Sequence, residues 1–221
     1  DRDDCPIPQI EIDKDDFEKW FIKNSGTLAK DTTKRYSRDT SNRKEPRVFL
    51  NYLSTSKAGG KNWQIALKND NTPSAIALSR QKLPYINSSF SKDNRCKYGA
   101  YIVNDNSDDS TITLMASGSE VEIALEAQKK LKEINIKSKV VSMPCQELFD
   151  QQSSIYKNKI INKDNPVISI EAASVSGWEK YTKNNMGINT FGESAPYKEV
   201  YDHFKLTSNK IVEFAKTILK K

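Results

Sequence analysis

From residue 111 onwards, short apolar runs alternate with stretches in which apolar residues recur at helical spacing. Thr111–Ala116 is an apolar run of strand length, and Lys139–Met143 is a second one. Between them, Val121, Ala124 and Leu131 fall on one face of a predicted helix. Because a single helix joins the two strands, we expect them to pair in parallel through a right-handed crossover. This alternation restricts the fold to an α/β sheet covered by helices.

The remaining C-terminal elements extend the same pattern. Pro166–Glu171 predicts a third strand, and Ile188–Phe191 predicts a short fourth one. Ser208–Leu219 predicts a final helix with an apolar stripe. We therefore predict a small, mostly parallel sheet flanked by helices on both faces over residues 111–221.

The N-terminal part of the chain has a less regular pattern. Residues 1–60 are rich in Asp and Lys and show no sustained apolar periodicity, so we expect a less ordered, partly helical segment of unknown origin. One short helix is predicted there, because Phe17, Trp20 and Phe21 occupy positions i, i+3 and i+4. Arg47–Leu53 is compatible with a strand or with the end of a helix.

Residues 61–110 combine one predicted strand with a linker. Ser74–Ser79 is a short apolar run after a proline and fits a buried strand. Residues 83–109 have the composition of a linker that carries a short extended piece at Ala100–Val103. A domain boundary is expected between Asp105 and Ser110. The predicted division is 1–60, 61–110 and 111–221.

Composition and charge exclude several classes of protein. The net charge is +6, but acidic residues are interspersed with the lysines, and no nucleic-acid-binding signature is present. No apolar run approaches the roughly 18 residues that a membrane helix needs. Cys5, Cys96 and Cys145 are too few and too far apart for a disulfide framework or a paired-cysteine metal site. We expect reduced thiols, a cytoplasmic location, and neither nucleic-acid nor membrane binding.

The turn before the first C-terminal helix allows two interpretations. Ser119 and Glu122 have the spacing of a capping box, in which each side chain satisfies a free backbone N–H group at the helix start. Free N–H groups at the same turn, Ser117–Ser119, would also attract an anion. The capping pattern favours the first interpretation.

Four short motifs in this region carry a family resemblance. They occur in the order Ser117-Gly118-Ser119-Glu120-Val121-Glu122, Met143-Pro144 with Glu147-Leu148-Phe149-Asp150-Gln151-Gln152, Ile170-Glu171-Ala172 with Gly177-Trp178-Glu179-Lys180-Tyr181, and Phe191-Gly192-Glu193-Ser194-Ala195-Pro196. Together they resemble the C-terminal domain of transketolase. Trp63–Leu83 is similar to the last strand of the family's central, pyrimidine-binding domain. Trp178, Tyr181 and Phe191 are expected to pack in the core and a subunit interface, because aromatics at such spacing usually pack.

The resemblance implies a dimeric enzyme of the pentose phosphate pathway that transfers two-carbon ketol units between sugar phosphates. It also implies thiamine diphosphate and a divalent metal, which supply the carbanion chemistry in the full-length family enzyme. The family's Gly-Asp-Gly metal motif does not occur in this sequence. We therefore expect no cofactor or metal bound by this chain, no catalytic residue in it, and no catalysis by this chain alone.

Arg80 is the one substrate-contacting residue that the resemblance carries over. It matches the family arginine that contacts the sugar phosphate, and a guanidinium group suits a phosphate. The alternative is a surface arginine in a partial domain. His203, the only histidine, is expected to be an exposed residue at a helix end.

Three functional interpretations follow. The chain is the C-terminal portion or a fragment of a transketolase, a non-catalytic dimerisation or interaction module, or one subunit of a split enzyme. The first is favoured. Homodimerisation or association with other transketolase domains is the expected partnership, and sugar phosphate is expected to bind only to a complete enzyme.

Overall fold

A five-stranded sheet organises the described part of the chain. The computed structural model describes residues 48–51 (backbone only), 62, 64–69, 73–77, 83, 94–105, 109–162 and 164–220. The predicted helix at Phe17, Trp20 and Phe21 lies outside the described residues, as does Cys5.

Seven strands are present among the described residues, and five of them form the main sheet. Their bounds are β1 Val48–Asn51, β2 Ser74–Ala77, β3 Tyr101–Asp105, β4 Ile112–Ala116, β5 Ser138–Ser142, β6 Val167–Ile170 and β7 Asn184–Met186. The main sheet has the order β3-β5-β4-β6-β7. β3 pairs antiparallel with β5, and every other pair is parallel. The prediction of a mostly parallel sheet is confirmed.

In the described part of the chain from residue 109 onwards, five α-helices lie between or after the strands. Their bounds are α1 Glu120–Glu133, α2 Gln146–Asp150, α3 Ser154–Ile160, α4 Tyr197–His203 and α5 Ser208–Leu219. Two 3₁₀ turns, Arg95–Tyr98 and Trp178–Lys180, precede β3 and β7. The predicted final helix therefore has the bounds that the sequence pattern indicated.

Alternate side chains of the strands supply two cores, one on each face of the sheet. On one face, Leu114 of β4 and Ile168 of β6 pack with Ala124 of α1 and Ile211 of α5. On the other face, Met115 and Val141 pack with Phe149 of α2 and the indole of Trp178. Because both faces are covered, each central strand is buried along its whole length.

The predicted fourth C-terminal strand is wrong in position. The strand is Asn184–Met186, whereas residues 188–191 lie outside any strand. Side-chain amides hold β7, because Asn185 accepts a 2.5 Å hydrogen bond from Ser169 Oγ and Asn184 donates one to the Val167 carbonyl. A strand fixed by asparagines has no apolar pattern, so periodicity could not reveal it.

The segment before residue 111 contributes strands to two sheets. Val48–Asn51 is a strand, which decides between the two alternatives for Arg47–Leu53, and it pairs in parallel with β2. The extended piece predicted at Ala100–Val103 becomes β3, the edge strand of the main sheet. The three-part domain division remains a prediction.

Gly99 allows the backbone before β3 to lie against the start of α2. Its φ is +77°, and a Cβ atom there would lie 2.1 Å from the Phe149 nitrogen and 2.4 Å from the Cys145 oxygen. The Gly99 carbonyl accepts a hydrogen bond from Cys145 N at 3.1 Å. Only glycine satisfies both the dihedral angle and the close approach.

Candidate functional site

At the carboxyl edge of the parallel strands there is a position where the chain connections diverge and a crevice can form. β4 is followed by α1 on one face, whereas β6 is followed by the Trp178 turn on the opposite face. β4 and β6 are neighbours, so their connections diverge at this edge. Open α/β sheets bind ligands at such points.

Glu171 directly follows β6 and lies at this divergence. Its Oε2 atom accepts a 2.9 Å hydrogen bond from Ser117 Oγ, just after β4, and a 3.2 Å bond from the Trp178 indole N–H. One carboxyl oxygen therefore connects the ends of two strands with the turn that covers the second core.

Glu120, the first residue of α1, is a second carboxyl group at the same edge, and it is buried whereas Glu171 is partly buried. Glu120 is 4% exposed. Its Oε1 atom accepts hydrogen bonds from Ser119 Oγ at 2.7 Å and from the Tyr201 hydroxyl of α4, and the Ala172 N–H group also donates to this carboxyl. Glu120 therefore joins α1 to α4 and to the segment after β6.

Burial governs the ionisation of both groups. Burial and then the nearby charge of Glu120 raise the pKa of Glu171 from 4.5 to about 7, although Ser117 and Trp178 favour the ionised form. Burial also raises the pKa of Glu120, against the hydrogen bonds of Tyr201 and Ser119. A carboxyl group with a pKa near neutrality can bind and release a proton under physiological conditions.

The predicted capping box at Ser119 is wrong. Ser119 has φ −65° and ψ −28°, already helical, and its side chain makes no cap hydrogen bond. Its hydroxyl contacts Glu120 and Tyr201 instead, because the buried carboxylate needs donors. Two carboxyl groups at this turn also disfavour the anion site that was the alternative interpretation.

The second and third sequence motifs meet through Asp150. Asp150 accepts hydrogen bonds from Tyr181 at 2.7 Å and from Lys180 at 2.6 Å. Burial and the Asp150 bond raise the pKa of Tyr181, so its phenol remains protonated. Trp178 is 2% exposed and packs as predicted, but Phe191 is 96% exposed and is not part of the core.

A cavity of about 380 Å³ lies next to Glu120, between α1 and α4. Ser119 and Tyr201, whose hydroxyls bond to Glu120, are among its lining residues. Its charged residues are Glu122, Glu126, Asp202 and Lys198. Partial burial and Glu126 raise the pKa of Glu122, against the effect of Lys198.

The other residues that the sequence singled out are Arg80, the one histidine and the cysteines. Arg80 lies outside the described residues. His203 is exposed at the end of α4, as predicted, with its ring 4.9 Å from that of Phe204. Cys96 and Cys145 are buried, and burial raises the pKa of Cys145 to about 12.

The implied metal has no donor set in the described part of the chain. No group of three or more His, Cys, Asp or Glu side chains gathers there. The described residues therefore do not fit a divalent metal with its diphosphate. Within the same residues, no helix is long and apolar enough to cross a membrane.

Glu120 and Glu171 belong to the family motifs, but the sequence predicted no role for them. A signal was available, because Glu171 is an acidic residue immediately after a buried strand and Glu120 opens the helix after a neighbouring strand. In a parallel sheet, residues that follow neighbouring strands lie at the same edge. Tyr201 offered no such signal.

Comparisons with known proteins agree with this architecture. Residues 99–207 match the family model described as the transketolase-like TK C-terminal domain. A transketolase of Sinorhizobium medicae is 40% identical over 163 residues, which are 72% of this chain and 23% of that protein. A chloroplastic transketolase of Solanum tuberosum is 39% identical over 182 residues, 78% of this chain and 24% of the relative.

Solved structures give the same result. The transketolase from Leishmania mexicana superposes with a TM-score of 0.73 at 34% identity, covering 79% of this chain and 25% of that one. The fold and the carboxyl edge thus define a transketolase-like C-terminal domain. The chain belongs to the transketolase family through this domain. It spans about a quarter of the length of the relatives that it matches.

Proposed function

We propose that this chain supplies the C-terminal domain of a cytosolic transketolase-type enzyme, and that it contributes architecture and assembly rather than cofactor chemistry. In the complete enzyme, thiamine diphosphate and a divalent metal would support transfer of a two-carbon ketol unit between sugar phosphates. By itself this chain is not catalytic. The partners are other transketolase domains, in a homodimer or in a neighbouring chain.

The observation that carries this proposal is the extent of the match. The family model covers the described C-terminal sheet, while the matched stretch amounts to about a quarter of each relative. These polar contacts support a structural role, since Asp150, Glu120 and Glu171 each bond to another element of the same domain.

A domain graft tests the proposal. Residues 99–221 replace the corresponding domain of a complete transketolase, and ketol transfer is measured for the graft and for the 221-residue chain alone. We expect the graft to be dimeric and active and the isolated chain to be inactive. A graft that folds but neither dimerises nor transfers the ketol unit would contradict the proposed role, as would turnover by the isolated chain.

Arg80 is proposed as a contact of the sugar phosphate in the complete enzyme. A graft that starts at residue 62 includes it. We expect Arg80→Gln in this graft to raise KM for the phosphorylated substrate by about tenfold or more, because a charged hydrogen bond contributes about 1.5–3 kcal/mol. An unchanged KM would assign Arg80 to the surface instead.

A second candidate function is a non-catalytic interaction module. Its support is Phe191, an aromatic side chain that is 96% exposed within the exposed segment 189–199. Ile155 on α3 is a matched control, since it is 84% exposed and far from the Phe191 motif in sequence. A module predicts a stable complex in light scattering that Phe191→Ser dissociates and Ile155→Ser preserves. A monomer at all concentrations would count against it.

A further inference from the structure

Two carboxyl groups, the buried Glu120 and the partly buried Glu171, lie at the carboxyl edge, and in the described part of the chain neither pairs with a cation. The donors to Glu171 are Ser117 and Trp178, and those to Glu120 include the hydroxyls of Ser119 and Tyr201. All four donors are neutral. Within the described ranges, no lysine, arginine or histidine bonds to either carboxyl group.

This arrangement favours retention of one proton by the two carboxyl groups. Removing two carboxylates from water costs free energy, and mutual repulsion of the charges adds to that cost. Neutral donors offset only part of it. Both donors to Glu171 contact its Oε2 atom, which leaves Oε1 to carry the proton.

We propose that Glu120 and Glu171 form a proton-dependent clamp that holds α4 and the Trp178 turn against the start of α1. With one proton bound, the paired carboxyls stabilise the edge. As the pH rises, the O–H bond breaks, the proton passes to solvent water, and repulsion between two carboxylates loosens the clamp. This proposal is independent of the function proposed above.

Neighbouring charged groups do not replace the interaction between Glu120 and Glu171. On α1, Glu122 interacts with Glu126 and with Lys198 of α4. On the Trp178 turn, Lys180 pairs with Asp150, and Glu179 is exposed. The charged group that acts on Glu171 is Glu120, and the titratable group that contacts Glu120 from α4 is Tyr201.

The direction of the pH effect follows from proton linkage. The ordinary pKa of a glutamate is 4.5, whereas that of Glu171 in the folded chain is about 7. The folded state therefore binds the proton more tightly than the unfolded state does. This contribution to stability is fully present below about pH 4.5. It decreases as the pH rises and is lost once the pH passes about 7.

The Trp178 indole N–H provides a local probe, because it donates to Glu171. Its resonance is followed by nitrogen–proton NMR of the full chain from pH 4.5 to 8.5 and assigned with Trp178→Phe. We expect the indole resonance to titrate with a midpoint near pH 7. A resonance that does not move, or one that titrates near pH 4.5, would overturn the proposal.

Three variants separate the clamp from general pH effects. Glu171→Gln mimics the protonated carboxyl and should abolish the titration, whereas the exposed control Glu179→Gln should preserve it. Glu120→Gln removes the repelling charge and should move the midpoint to lower pH. An unchanged midpoint in Glu120→Gln, or a persisting titration in Glu171→Gln, would contradict the shared clamp.

Denaturation provides an independent measurement. Between pH 5 and pH 8, the unfolding equilibrium constant of the wild-type chain should increase by roughly tenfold or more beyond the change seen in Glu171→Gln. Equal pH dependence of the two proteins would reject the clamp. If Glu171→Gln fails to fold, the wild-type NMR titration and Glu120→Gln still decide the outcome.

Discussion

Tyr201 lies on α4 and reaches the buried Glu120 carboxyl with its hydroxyl group, where the Ser119 hydroxyl also contacts it at 3.0 Å. Its ring forms a T-shaped contact with Tyr197, whose centroid is 6.1 Å away. The hydroxyl and the ring therefore have separable roles. The hydroxyl satisfies a buried carboxyl, whereas the ring packs along α4.

Removing that hydroxyl should destabilise the domain. Tyr201→Phe is expected to lower the free energy of unfolding by about 1–3 kcal/mol, because it leaves a buried carboxyl with one donor fewer. Tyr197→Phe is the matched control, and we expect a change within about 0.5 kcal/mol for this half-exposed side chain. Urea denaturation measures both, and equal losses would contradict the role of the Tyr201 hydroxyl.

At the residue scale, the burial of a side chain was easier to predict from the sequence than its hydrogen-bond partners. The burial of Trp178 followed from its aromatic spacing, but the exposure of Phe191 did not, because the same spacing describes a core residue and a surface one. The predicted cap at Ser119 was wrong because the motif does not show that Glu120, one residue later, is buried. The Glu120 carboxyl group takes the hydrogen bond of the Ser119 hydroxyl. Such partners depend on long-range contacts, as between Ser117 and Glu171.

Among the described glycines, Gly99 leaves the least room for a Cβ atom, because it lies against the start of α2. Gly99→Ala is expected to lower the free energy of unfolding by at least about 2 kcal/mol, since the new Cβ atom would meet backbone atoms at 2.1–2.7 Å. Gly192→Ala is the matched control, because a Cβ atom there meets nothing within 4 Å. Thermal unfolding measures the difference, and similar melting temperatures would contradict the close approach.

At the scale of elements, strands and helices with an apolar pattern were predictable. β4, β5 and β6 are short runs that are buried along their whole length, and the apolar residues of α1 and α5 recur at helical spacing that matches their burial. The predicted position of β7 was wrong because asparagine side chains fix this strand, and it therefore has no apolar pattern. The antiparallel pairing of β3 was also not predicted, since its partner β5 lies more than 30 residues later in the sequence.

At the scale of the whole molecule, the family and the α/β class were predictable from four motifs in order. The contacts among three of these motifs were not predictable, because each motif was read as a separate marker. Asp150 bonds to Tyr181, and Glu171 bonds to Ser117 and Trp178, so the first three motifs are joined by polar contacts. The proposed chemistry belongs to the complete enzyme.

The most direct test of this account is a thermal shift of the 221-residue chain with thiamine diphosphate and Mg²⁺, with a complete transketolase as the positive control. A ligand at one hundred times its Kd stabilises the native state by about 2.7 kcal/mol. For a chain of this size, that corresponds to an increase in Tm of about 5–10 °C. We predict no change in Tm for this chain and a clear increase for the control. A saturable increase for this chain would show that it binds the cofactor by itself and would contradict its role as an architectural domain.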